Sequence, residues 1–345
     1  MTSSRGGRGS PGAVPARGEE RPISASRRAS LRRLLGIAAG GAASLHVGPV
    51  RSASVSGVEG ATGGDPARVQ RRPIPSSGRS VPCIGMGTWI TFDLPPGHPE
   101  RAARVEVMRR LLAAEDAVVD SSPMYGHAEE LVGHALAALP DAPSSPFAAS
   151  KIWTPLVLRA STQMDNTERL WGVRPMDLVQ VHNLVEWREH LPRLREWQRE
   201  GRIRHVGVTT SHGRRHAELE ALLEREAGDG RLDFVQLTYN ARDREAEARL
   251  LPLARERGVA VIANRPLQRG ALVRDNARRP LPSIAASLGC TSWAQLCLLY
   301  AVSHPDITCV IPATGVPAHL DENLAVGRLP MPDAATRREL LAAIA

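Results

Sequence analysis

Residues 177–210, DLVQVHNLVEWREHLPRLREWQREGRIRHVGVTT, contain the clearest fold signal in the chain. This stretch opens with an apolar run at 177–183 and closes with a second run at 203–210. Between the two, residues 186–200 place Trp and Leu at helical spacing among arginines and glutamates. Apolar runs of this kind are typical of strands that are covered on both faces of a parallel sheet. The stretch therefore predicts a strand, a crossover helix and a second, parallel strand.

The same alternation repeats along the chain from residue 73 onward. The strand candidates are the segment ending at 87–89 and residues 117–122, 147–153, 177–183, 203–210, 234–240, 259–266 and 308–315. Helical candidates include 100–115, 128–139, 186–200, 243–257, 292–303 and 334–344. Eight strands alternating with helices over about 250 residues predict an α/β fold, the (β/α)8 TIM barrel. An N-terminal β-hairpin is expected to precede it, around the Ser-Ser-Gly turn at 76–78. A doubly wound sheet is the alternative, although no G-x-G-x-x-G follows the first strand.

Positive charge is concentrated before the barrel. Residues 1–72 carry 12 arginines and 4 acidic residues, so they hold the whole net charge of +8 and residues 73–345 are neutral. We predict a disordered basic leader at 1–72, a barrel domain at 73–345, and no nucleic-acid partner. Within the leader, residues 26–45 resemble a twin-arginine export signal. We therefore expect a periplasmic or secreted protein, or a cytoplasmic one if this leader is not a signal. The apolar run is too short for a stable membrane span.

Cysteine and histidine spacing gives no metal site. The four cysteines form no C-x-x-C pair and are predicted to be free, mostly buried thiols. His212 and His216 could ligate a metal from one helical face, but no third ligand is evident. We predict that the protein binds no metal.

Polar side chains fall where consecutive barrel strands end. Asp120 closes the second strand with Tyr125 just beyond it, Lys151 closes the third and His182 the fourth, and Lys151 is the only lysine in the chain. Neighbouring strands lie about 4.8 Å apart, so these groups can converge. An ammonium lowers the pKa of a nearby phenol, a carboxylate can hold that ammonium, and a histidine can orient a carbonyl oxygen. The four residues together predict a site that protonates a developing alkoxide while hydride arrives from elsewhere.

These motifs, VVDSSPMYG, ASKIW and LVQVHN, resemble the tetrad of the aldo-keto reductase superfamily, and the resemblance extends through nearly all of residues 73–326. It implies a (β/α)8 barrel behind a hairpin and NAD(P)H-dependent reduction of a small aldehyde or ketone to an alcohol. In this reading Tyr125 is the general acid, the Lys151–Asp120 pair assists it, and His182 orients the substrate. Trp89 would form a wall of the substrate pocket.

The resemblance also implies a set of cofactor residues. They are Thr88, Thr209, Thr210, Gln236, Asn264, Arg265, Leu267, Gly270, Thr314, His319, Glu322 and Asn323. Asn264 stands where the family usually places an aromatic residue on the nicotinamide, and Arg265 could reach the pyrophosphate. Ala313 and His319 stand where a lysine and an arginine commonly grip the 2′-phosphate of NADP. We expect NADP(H) rather than NAD(H), with the second as the alternative.

Two other functions remain open from the sequence. A lone lysine at a barrel strand end is also typical of Schiff-base lyases and aldolases. A barrel that binds a nucleotide without catalysis, as a regulatory module, is the other alternative.

Overall fold

A computed structural model describes residues 69–113, 117–211, 213–225 and 232–344. The predicted twin-arginine-like segment and His212 lie outside the described residues. No helix of the described ranges is long and apolar enough to cross a membrane.

A β-hairpin covers the amino-terminal end of the barrel, as predicted. β1 (Arg71–Pro73) pairs antiparallel with β2 (Ser80–Pro82). Between them Gly78 has a φ of 69°, a conformation that glycine adopts without steric cost. Ile74 and Val81 are buried against the first residues of several strands, including Phe147 and Phe234. The hairpin therefore closes the end of the barrel that carries no predicted site residue.

Eight parallel strands follow in sequential order and confirm the predicted TIM barrel. They are β3 (Met86–Gly87), β4 (Val118–Asp120), β5 (Phe147–Ile152), β6 (Met176–Val181), β7 (Ile203–Thr209), β8 (Phe234–Thr238), β9 (Ala260–Asn264) and β10 (Cys309–Val310). Parallel bridges from Ile84 to Val310 and from Gly87 to Ala313 join the last strand to the first. Because all eight strands run the same way, every carboxyl end opens on one rim.

Helices surround the strands and bury their apolar stripes against them. They are α1 (Arg101–Ala113), α2 (Ala128–Ala137), α3 (Ala160–Trp171), α4 (Trp187–Arg199), α5 (His216–Arg225), α6 (Leu250–Glu256), α7 (Ala271–Asn276), α8 (Ser283–Ser287), α9 (Trp293–Val302), α10 (Pro317–Val326) and α11 (Ala334–Ile344). The helix predicted at 243–257 is divided into a 3₁₀ turn at Glu245–Glu247 and the shorter α6. Pro252 lies in the first turn of α6, where its missing N–H costs no helical hydrogen bond.

The four cysteines are free and buried, as predicted. In the described part of the chain, no three His, Cys, Asp or Glu side chains lie close enough to hold a metal ion.

Candidate functional site

A cavity of about 870 Å³ opens at the carboxyl ends of the strands. Its wall includes most of the predicted site residues: Thr88, Trp89, Asp120, Tyr125, His182, Gln236, Asn264, Arg265, Leu267, Gly270, Thr314, His319, Glu322 and Asn323. Lys151, Thr209 and Thr210 are buried and do not contribute to the wall. The barrel thus brings together side chains that are up to 235 positions apart in the sequence, from Thr88 to Asn323.

Lys151 and Asp120 form a buried ion pair below the cavity. Lys151 Nζ lies 2.6 Å from Asp120 Oδ2 and donates a second hydrogen bond, 2.7 Å long, to the carbonyl oxygen of Ser121. Both side chains are almost completely excluded from solvent. Burial is the largest single effect and would lower the pKa of Lys151, but the charges and hydrogen bonds of Asp120 and Tyr125 together outweigh it and raise that pKa. The lysine therefore stays a cation.

Asp120 is held by neutral donors as well as by the lysine. Its Oδ1 accepts a 2.9 Å hydrogen bond from Gln236 Nε2 and a 3.3 Å hydrogen bond from Gln180 Nε2. Gln236 is predicted to contact the cofactor; in this structure its amide nitrogen donates to the carboxylate of Asp120. Gln180 was missed, because an amide inside an apolar strand gives no signal until the strand faces are known.

Tyr125 lies above this pair, on the turn between β4 and α2. The Lys151 ammonium is 5.1 Å from the centroid of its ring. Gly126 has a φ of 60°, and a Cβ there would lie 2.1 Å from Oδ1 of Asp93, which accepts the N–H of His127. Glycine at this position therefore lets the turn close against Asp93 and fixes the tyrosine.

The pKa of Tyr125 differs from the expectation. Burial raises the pKa of the phenol, while the charge of Lys151 lowers it, and burial is the stronger effect, so the pKa lies above its ordinary value. The predicted action of the lysine is present, but it only offsets part of the desolvation. Tyr125 is therefore fully protonated at neutral pH, as a proton donor must be.

His182 is buried next to Tyr125. The two rings meet edge to face with centroids 5.6 Å apart. Nδ1 of His182 lies 2.9 Å from the hydroxyl of Ser122. Burial, with a further contribution from the charge of Lys151, lowers the pKa of His182 to about 2. The imidazole is therefore neutral and has one N–H to donate.

Three of the four predicted threonines, Thr88, Thr209 and Thr210, hydrogen-bond to the backbone of the site. The Thr88 hydroxyl donates to the carbonyl oxygen of Asp120 at 3.0 Å. Thr209 Oγ1 accepts the N–H of Asn183, the residue after His182, at 3.0 Å. The N–H of Thr210 donates to the carbonyl oxygen of Gln236 at 2.8 Å. Thr209 and Thr210 thus hold the site through its backbone, and of these three threonines Thr88 is the one that lines the cavity.

The loop after β9 forms a second part of the cavity wall, the loop wall, with a strained backbone. Arg265, Gln268 and Arg269 have positive φ angles of 51°, 47° and 55°, and Gly270 follows at 79°. The Arg265 and Arg269 guanidinium carbons lie 5.3 and 4.5 Å from the ring centroid of Trp89. Positive φ is uncommon for non-glycine residues and is often found at functional sites. Arg269 was missed, because its approach to Trp89 depends on these dihedrals.

The remaining predicted cofactor residues line the end of the cavity near α10. The hydroxyl of Thr314 accepts the N–H of Val316 at 3.1 Å, which shapes the entry to the helix. Arg104 of α1, which the sequence did not single out, donates to the carbonyl oxygens of Thr91 (2.7 Å) and Gly315 (2.8 Å). It therefore ties the loop that carries Trp89 to the loop that carries Thr314.

The guanidinium groups that line the cavity are suited to bind an anionic dinucleotide. Arg265, Arg269 and Arg274 line the cavity, and none of them has a carboxylate partner among the described residues. Guanidinium groups favour phosphate oxygens, which accept their planar array of donors. Asn264, whose Oδ1 accepts the Thr238 hydroxyl at 2.8 Å, provides a polar surface at the end of β9.

Comparison with known proteins agrees with this architecture. The model of the aldo/keto reductase family matches residues 83–338. Methylglyoxal reductase YeaE of Escherichia coli strain K12 is 26% identical over 266 residues, which cover 75% of this chain and 90% of that protein. An NADH-specific methylglyoxal reductase of the same organism is 23% identical and covers 77% of this chain and 96% of its own length. The crystal structure of an aldo/keto reductase from Klebsiella pneumoniae in complex with NADP and acetate superposes with a TM-score of 0.64 at 25% identity, over 76% of this chain and 91% of that one. The chain belongs to the aldo/keto reductase family and is an oxidoreductase.

Proposed function

We propose that this protein reduces small aldehydes or ketones to alcohols, with NADPH as the favoured cofactor and Tyr125 as the proton donor. One observation carries the proposal: the Tyr125 phenol and the neutral His182 imidazole line one cavity directly above a buried Lys151–Asp120 pair. Two relatives are named methylglyoxal reductases, which supports a small carbonyl compound as substrate.

Different residues of the chain transfer the proton, bind the carbonyl oxygen and stabilise the resulting charge. Bound NAD(P)H would supply the hydride. Tyr125 donates its proton to the carbonyl oxygen, and His182 donates a hydrogen bond to the same oxygen. The ammonium of Lys151 stabilises the tyrosinate that proton transfer leaves behind, and Asp120 keeps that ammonium in place.

Arginine and hydroxyl side chains would hold the cofactor. Arg265, Arg269 and Arg274 match the diphosphate, and Thr314 with His319 matches the 2′-phosphate of NADP. An NADP complex of a similar structure supports NADPH, while an NADH-specific relative keeps NADH as the alternative.

The burial of Lys151 and its ion pair with Asp120 argue against Schiff-base chemistry at this lysine. Its side chain has no solvent-exposed surface, and Asp120 raises the pKa of its amine. A nucleophilic lysine must be accessible and neutral for part of the time.

The test is oxidation of NADPH and of NADH by the purified full-length chain, offered methylglyoxal and an aromatic aldehyde separately. We expect turnover that is lost in Lys151→Met and is unchanged in Arg109→Gln, a control on the exposed outer face of α1. Cofactor binding without turnover of any carbonyl compound would contradict the proposal and favour the non-catalytic barrel. Borohydride trapping of a substrate on Lys151 would instead establish the Schiff-base alternative.

A further inference from the structure

Ser122 links the two side chains that face the substrate. It is completely buried two residues after the end of β4. Its hydroxyl lies 2.9 Å from Nδ1 of His182 and accepts the N–H of Met124 at 3.2 Å. Its carbonyl oxygen accepts the N–H of Tyr125 at 2.9 Å. One serine therefore shapes the turn that carries Tyr125 and contacts the ring of His182.

The hydrogen-bond donors and acceptors in these contacts favour one tautomer of His182. A neutral imidazole has one N–H and one acceptor nitrogen, and a hydroxyl has one proton to donate. The Ser122 oxygen already accepts from Met124, so its own proton is available for Nδ1. If Nδ1 carried the proton instead, the Ser122 proton would need another acceptor, and the described residues offer it none. A buried donor without a partner is unfavourable, so Nδ1 is the acceptor.

The other ring nitrogen then carries the hydrogen. Nε2 of His182 makes no hydrogen bond to the described residues, and the ring lines the cavity beside Tyr125. Burial and the nearby Lys151 keep the imidazole neutral, which leaves this single N–H for the cavity. Two hydrogen-bond donors, the phenol and the imidazole N–H, can thus meet on one carbonyl oxygen.

We propose that Ser122 is a positioning residue that holds His182 as the Nε2–H tautomer, with that N–H directed to the carbonyl oxygen of the substrate. The catalytic part of this inference rests on the proposed reductase function, whereas the tautomer does not. A hydrogen-bond donor fixed before the substrate arrives needs no reorganisation during the reaction.

Ser121 provides the matched control. It is equally buried and directly precedes Ser122, but its hydroxyl donates a 2.9 Å hydrogen bond to the Thr88 hydroxyl, whose own proton goes to the carbonyl oxygen of Asp120, and it has no hydrogen bond to His182. Ser121→Ala therefore removes a similar hydroxyl from the same turn and leaves the imidazole contact in place. Ser122→Cys is the conservative variant, because a thiol retains a weak donor of similar size.

The first measurement is ¹⁵N NMR of the histidine rings in the full-length protein without ligand, with His182 assigned by the loss of its signals in His182→Gln. We expect a protonated Nε2 and a hydrogen-bonded, unprotonated Nδ1 in the wild type and in Ser121→Ala. In Ser122→Ala the Nδ1 signal should lose its hydrogen-bond shift. A protonated Nδ1 in the wild type would overturn the proposal, and so would an unchanged His182 spectrum in Ser122→Ala.

The second measurement is kcat and KM with an aldehyde. Ser122→Ala should lower kcat about tenfold with little change in KM, less than the roughly 100-fold loss expected when the donor itself is removed in His182→Gln. Ser122→Cys should recover part of the loss. Equal losses in Ser121→Ala and Ser122→Ala, with equal falls in Tm, would indicate a merely structural serine and refute the positioning role. If no variant and no wild type turns over a carbonyl compound, the proposed function fails, while the NMR result still decides the tautomer.

Discussion

The cavity has a strand-end wall, with Asp120, Tyr125 and His182, and a loop wall, with Arg265 and Arg269. The two differ in whether their charged side chains have a partner of opposite charge. Behind the strand-end wall, Lys151 is paired with Asp120, and the second carboxylate oxygen of Asp120 is held by Gln180 and Gln236. On the loop wall, Arg265 and Arg269 rest on Trp89 with no carboxylate partner in the described ranges.

The backbone shows this contrast only in part. Lys151 and Asp120 lie in regular strands, whereas Arg265, Gln268 and Arg269 have left-handed dihedrals. Asn183 and Leu184, directly after His182, share the left-handed conformation. Preorganised, paired groups suit the chemical step, which gains from dipoles that do not have to move. Unpaired cations on a strained loop suit the capture of an anion, whose binding can offset the strain. We conclude that the two walls have separate tasks, and the following predictions test that separation.

The largest effect is expected on the strand-end wall. Tyr125→Phe removes the proton donor and should lower kcat by about 10²–10⁴-fold, the usual contribution of general acid catalysis. Because no arginine of the loop wall is touched, the Kd of NADPH should stay within about twofold of the wild-type value. Stopped-flow turnover and fluorescence titration measure the two quantities. Retention of more than a tenth of wild-type kcat would show that another group donates the proton.

Lys151→Met should change the pH profile as well as the rate. Lys151 lowers the pKa of Tyr125, so its removal raises that pKa further above the ordinary value. Reduction needs protonated Tyr125, and activity is lost as the pH rises through its pKa. The basic limb of kcat should therefore move to higher pH, while the plateau falls because the tyrosinate is no longer stabilised.

Stability provides the control for this variant. Lys151→Met leaves a buried carboxylate without its cation, which typically costs about 3–5 kcal/mol of unfolding free energy. The double variant Asp120→Asn/Lys151→Met removes both charges and should regain most of that loss while it stays inactive. A basic limb that moves to lower pH in Lys151→Met would contradict the assigned effect of the lysine on Tyr125.

The smallest effect is expected on the loop wall. Arg269→Met should weaken NADPH binding by about tenfold, the value of one charge-assisted hydrogen bond, and leave kcat at saturating cofactor unchanged. Arg255→Gln, which removes a guanidinium paired with Asp306 away from the cavity, is the matched control. Isothermal titration gives the Kd values. A fall in kcat that equals the loss of affinity would show that the two walls do not act separately.

The strand-end wall was predictable because strand geometry leaves little freedom. Once Asp120, Lys151 and His182 are placed at the ends of neighbouring parallel strands, their side chains must converge on one rim. The resemblance to the aldo-keto reductases added roles for these residues and a set of cofactor positions, most of which lie on the cavity wall. Their roles in catalysis and cofactor binding stay predictions until the variants are measured.

The loop wall could not be predicted in the same way. No pattern within NRPLQRG, residues 264–270, predicts positive φ at Arg265 and Arg269. The approach of both guanidinium groups to Trp89 was therefore not predicted. Ser122 was missed for a related reason: a serine in a turn is normally interpreted as a local cap, and its contact with His182 spans 60 residues. The net rise in the pKa of Tyr125 also depended on burial, which only the packed barrel defines.

The barrel, its hairpin and the convergence of Asp120, Tyr125, Lys151 and His182 follow from the amino-acid sequence. Apolar periodicity and strand ends are local patterns, and the geometry of a parallel sheet fixes where such strand ends lie. The conformation of the loop that carries Arg265 and Arg269, the hydrogen-bond partner of His182 and the net shift of the Tyr125 pKa follow from the folded structure alone. These depend on loop dihedrals, on contacts between distant segments and on the exclusion of water, and each of them exists only when the whole chain is folded.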